Sequence, residues 1–136
     1  MSMRNYAVDE YGLLIDDAAI RYVARNLKKN NVEEFDWDDI ANAEEELDCY
    51  YTSEFYGEAF AILDDGRDDY DSDTRVLFEG NVLYLIPLRR YPTLFSTAYN
   101  NIQEVIAEVR QGVENLLPQN FDYRGHLRHV IGTYLG

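Results

Sequence analysis

Between Glu33 and Asp73 the chain carries seventeen acidic residues and a single base, Arg67, a net charge of −16 over 41 residues. The remainder holds nine acids and eleven bases, a net of +2, so the −14 of the whole 136-residue chain is one polarised segment. Any fold must keep most of these carboxylates in water, and the field they create costs self-repulsion in the compact state and attracts a positively charged partner. Direct contact with nucleic acid through this face is disfavoured, because phosphates call for Lys and Arg.

A hydrophobic content of 46 % with 14 % aromatics, including twelve tyrosines, supports a folded chain rather than a disordered polyanion. The length suits one domain spanning residues 1–136. A lone cysteine, Cys49, excludes an intrachain disulfide framework and fits a reducing compartment. Residues 1–11 lack a basic start followed by an apolar run, and the longest apolar stretches, such as 82–88, are too short to cross a bilayer. The expectation is a soluble cytoplasmic protein with no membrane contact.

The apolar spacing predicts a helix over residues 13–30, capped by Asp16 or Asp17, with Ala19, Ile20, Val23 and Leu27 facing the core. A shorter helix from Asp36 or Asp38 to about Leu47 buries Trp37, Ile40, Ala43 and Leu47. Residues 49–56 and 58–63 read as two strands parted at Gly57, and residues 64–74 as a polar loop. Residues 75–79 and 81–88 read as two more, joined by a tight turn at Gly80-Asn81, with Pro87 at an end or edge. Helices follow over 94–99, over 101–117 with Asn101 and Glu104 at capping-box spacing, and after Asp122, where Leu127, Val130, Ile131 and Tyr134 share one side. This order predicts an α+β fold, a small antiparallel sheet over residues about 49–88 packed by N-terminal and C-terminal helices.

Two readings of the acidic segment stand side by side. One is a solvated face that serves solubility or a structural, oligomerising role. The other is mimicry of a nucleic-acid backbone. Carboxylates two apart on a strand lie about 6.8 Å apart, and those three or four apart on a helix about 5–6 Å. Asp38, Asp39, Glu45 and Glu46 beside Asp64, Asp65, Asp68, Asp69, Asp71 and Asp73 could present such an array to the Lys/Arg groove of a basic protein. Tyr50, Tyr51, Phe55, Tyr56 and Tyr70 are candidate aromatic anchors or, equally, sheet core.

Catalytic and metal signals are weaker. Asp69, Asp71 and Asp73 start a D-x-D-x-D calcium pattern, but Thr74 stands where glycine is needed and Gly80 where the bidentate Glu belongs. His126 and His129 lie three apart on the last predicted helix, with Asp122 one turn earlier, a thin basis for a transition-metal site. The acids around Cys49 disfavour a thiolate, so it reads as a buried thiol. None of the eight glycines forms a phosphate-binding or nucleophile-elbow motif. No cofactor is expected and no residue is singled out as catalytic; a metal-binding or carboxylate-based enzyme is the alternative class. Arg89-Arg90 and the pair Arg124 and Arg128 read as internal charge balance.

The stretches GEAFAILDDGR (57–67), LYLIPLRRYPTLF (83–95) and FDYRGHLRHVIGTYLG (121–136) together resemble small acidic proteins of phages and mobile elements of gut Firmicutes. The resemblance implies a mobile-element setting. By analogy with anti-CRISPR and anti-restriction proteins, it also implies inhibition of a host defence protein.

Overall fold

A computed structural model describes residues 4–28, 37–63, 68–71, 74–88 and 102–135. The chain begins in a strand, β1 (Asn5–Leu14), and passes to helix α1 (Asp17–Lys28) and helix α2 (Trp37–Leu47). A long strand β2 (Tyr50–Ile62), a two-residue strand β3 (Asp68–Asp69) and strand β4 (Val76–Pro87) follow. Helix α3 (Ile102–Val113), a single 3-10 turn (Arg124–His126) and strand β5 (Leu127–Leu135) complete the described elements.

The architecture is α+β, with a five-stranded antiparallel sheet ordered β3-β2-β4-β1-β5. A further pairing joins β5 to β2, from Phe55 opposite Tyr134 to Ala61 opposite Arg128. Strands β2, β4, β1 and β5 therefore close on one another, which removes the exposed edges an open sheet would leave. Val8, Phe55, Ala59, Leu83, Leu85 and Val130 fill the inside of this closed sheet. On the outer face Leu13, Ile62, Ile86 and Leu127 pack with Ile20 and Val23 of α1, Ala43 and Leu47 of α2, and Val105 and Val109 of α3.

Closure requires two backbones to meet. Gly57 of β2 lies opposite Gly132 of β5. A methyl on Gly57 would strike the Ile131 carbonyl oxygen, and one on either glycine would come within 2.7 Å of the Phe55 ring. Gly57 is thus neither turn nor strand break: β2 runs through it, where two strands were expected.

Residues 75–79 and 81–88 likewise form one strand. Gly80 is not a hairpin corner but a left-handed bulge, φ 72°, where the β2–β4 register shifts between Phe55–Asn81 and Tyr56–Glu79. Its positive φ gives the same local signal as a turn.

The sheet extends beyond residues 49–88, and the expected flanking helices at the two ends are partly strands. Residues 13 and 14 belong to β1, and α1 starts only after Asp16, whose carboxylate caps the Ala19 amide at 2.7 Å. The last expected helix is β5. Its apolar residues mimic a helical stripe because the strand buries residues on both faces: Val130 inside the closed sheet, and Leu127 in the core shared with the helices. Residues 94–99 and Asn101 lie outside the described residues, and the second helix of that region is α3, ending before Pro118. Among the described residues no helix is long and apolar enough to cross a membrane.

Candidate functional site

Directly opposed residues of adjacent strands place their side chains on one face. Tyr11 of β1 is opposite His129 of β5, and His129 is opposite Phe60 of β2. This row of rings carries the most concentrated polar chemistry among the described residues. The His129 imidazole stacks on Tyr11 with centroids 4.2 Å apart. Its Nε2 lies in hydrogen-bond contact with Asp9 Oδ1 at 2.6 Å, and its Nδ1 with Asp68 Oδ2.

The same Asp68 Oδ2 accepts from Tyr70 Oη at 2.7 Å and from Tyr11 Oη at 3.5 Å. The His129 and Asp68 side chains are only 9 % and 5 % exposed, whereas Asp9 is 74 % exposed. Burial, then the nearby Asp68 carboxylate, push the Tyr11 phenol up to about 12, and the Tyr70 phenol is raised first by its hydrogen bond to Asp68. Both tyrosines therefore stay neutral donors. The arrangement fastens the Asp-rich segment to the first and last strands. Among the described residues no Ser or Cys side chain hydrogen-bonds to His129, and Cys49 is buried with its thiol pushed up to about 12 by burial and then by Glu44. The geometry fits a clamp rather than a nucleophile.

Asp68, expected on the partner-binding surface, is thus turned into the fold. Asp69 is half-buried and accepts the Asp71 amide at 2.9 Å; Asp71 is exposed. Asp64, Asp65 and Asp73 lie outside the described residues. Among the described residues no group of three or more His, Cys, Asp or Glu side chains is placed to hold a metal. His126 and His129 share neither a helix nor a target. His126 Nδ1 donates to the Asp122 carbonyl at 2.6 Å, its Nε2 lies 3.3 Å from Asp16 Oδ2, and its ring stacks on Phe121.

The second concentration of charge is α2. Ala43 and Leu47 turn its apolar side to the core, leaving Asp38, Glu45 and Glu46 exposed and Asp39 half-buried. The exposed pair Asp38 and Glu45 are two turns apart, about 10 Å along the axis. The helix contains no Lys or Arg. Glu44, Glu45, Glu46 and Asp48 crowd its C-terminal end, where the helix dipole is already negative. Asp48 itself closes the helix in the left-handed region, φ 52°, with its amide donating to Glu45 O and the Cys49 amide to Glu44 O. Glycine is the usual occupant of that position. Burial, and then Glu45, raise the Glu44 carboxyl above its ordinary value. Asp38, Asp39, Glu45 and Glu46 were legible from spacing alone. The Asp9–His129–Asp68 set was not, since its members are 61 and 120 residues apart.

No family model matches the chain, and neither does any curated protein or solved structure.

Proposed function

We propose that the protein binds another protein through the exposed carboxylates of α2, occupying a basic surface that otherwise holds nucleic acid. The observation that carries this reading is the C-terminal end of α2. Four acids stand at the wrong end of the helix dipole, one of them in a left-handed conformation that glycine would adopt more cheaply. Each choice weakens the isolated fold, and no base within the helix offsets it. A cationic partner does offset it, and relieves the repulsion among the crowded carboxylates. The exposed Asp71 can extend the same chemistry; Asp68 instead holds its segment in place through His129.

The setting that follows is inhibition of a host defence protein by a mobile-element product in the bacterial cytoplasm, anti-CRISPR-like in type. The test is capture of partners by the natural chain and by a variant with Asp38, Asp39, Glu45 and Glu46 neutralised. Partners should be nucleic-acid-binding, released by salt and displaced by duplex DNA.

A further inference from the structure

Where β1, β4 and the start of β5 meet, Leu14, Val76, Phe78, Val82 and Tyr84 enclose a cavity of about 650 Å³. Its volume falls within the range of about 300–1,000 Å³ typical of small-molecule sites, and its walls are mostly apolar as such sites require. Besides Tyr84, four charged or titratable residues reach it: Asp16, Asp17, His126 and Arg128. Three are already compensated. Asp16 accepts from the Ala19 amide and faces His126, and Asp17 accepts from Arg21 Nε at 2.8 Å.

Arg128 differs. It follows the interior-facing register, opposite Gly12 of β1 and Ala61 of β2. One of its nitrogens donates to the neighbouring Leu127 carbonyl at 3.0 Å. Its Nε is buried without a partner, and among the described residues no carboxylate forms an ion pair with it. Burial lowers the guanidinium from its ordinary value, with Asp122 acting in the opposite sense. An arginine in this state is still a cation at neutral pH and offers a planar fork of donors to a carboxylate. A half-buried guanidinium with no ion pair among the described residues, beside an apolar cavity, can take an anion from outside.

We propose that this cavity binds a small apolar molecule bearing one carboxylate, with the carboxylate on Arg128 and the apolar part against Leu14, Phe78 and Val82. This site is independent of α2 and of the partner-binding role. The test is an amide NMR titration of the full chain with octanoate and, separately, with octanol. Octanoate should shift the amides of Leu14, Phe78, Val82 and Arg128 and bind about tenfold more tightly than octanol, as a charge-assisted bond predicts. Arg128→Gln should bring octanoate down to the level of octanol. The octanoate–octanol comparison on the natural chain tests the charge even where that variant fails to fold. Absence of shifts at these residues, equal affinity for the two molecules, or undiminished octanoate binding by a folded Arg128→Gln chain would overturn the proposal.

Discussion

The imidazole of His129 lies flat on the phenol of Tyr11, planes 7° from parallel, and both side chains are in hydrogen-bond contact with the same Asp68 carboxylate. One residue comes from β1, one from β5 and one from near the end of the acidic segment. Their meeting ties the two ends of the chain to its most charged stretch. Removing the imidazole leaves the Asp68 carboxylate, only 5 % exposed, without its His129 partner, and a buried polar or charged group left unsatisfied costs about 1–3 kcal/mol or more. His129→Gln should therefore lower the urea-unfolding free energy by about 3 kcal/mol. A double variant, Asp68→Leu with His129→Leu, should recover much of that loss, because no charge is then left buried and alone.

The Tyr11 phenol gives a pH signature of the same cluster. Its folded value of about 12 lies above the ordinary 10.0. The folded state therefore holds this proton more tightly than the unfolded chain. The contribution is fully present below pH 10 and is lost as pH rises from there through about 12. Spectrophotometric titration of the folded chain should show a late-ionising phenol that disappears in Tyr11→Phe, whose stability should also fall less steeply over that pH window.

Sheet closure at the paired glycines makes an opposite pair of predictions for one substitution type. Gly132→Ala places a methyl against the Tyr56 carbonyl oxygen and the Phe55 ring, and overpacking of this kind costs about 1–3 kcal/mol. Gly112→Ala, in α3 with nothing within 4 Å of the added methyl, should stabilise by up to about 1 kcal/mol. Thermal unfolding of the two variants measures both signs.

The acidic helix, the Asp16 cap and the apolar stripes of α1 and α3 were readable because each is a local pattern at helical period. The ends of the chain were not. In β5, Leu127 is buried on one face, Val130 and Tyr134 pack on the other and Ile131 is exposed, so their helical spacing is not one buried stripe. In β1, Asp9 and Glu10 interrupt the apolar alternation that marks a strand; Asp9 is there for His129. Gly57 and Gly80 read as turns because a glycine that permits close approach or a bulge looks the same in sequence as one that reverses the chain. The clamp at Asp68 joins residues whose proximity only the closed sheet creates.

The role of α2 is tested most directly by capturing partners from bacterial lysate at low and high salt. The natural chain is compared with a variant carrying Asp38→Asn, Asp39→Asn, Glu45→Gln and Glu46→Gln. The variant should remain folded, since relieved repulsion at Glu45 and Glu46 works against the loss of the favourable first-turn charges of Asp38 and Asp39. The account predicts that the natural chain retains a nucleic-acid-binding protein that salt or duplex DNA releases, and that the variant retains none of it. Retention of the same partner by the neutralised helix, undiminished by salt, would contradict the account.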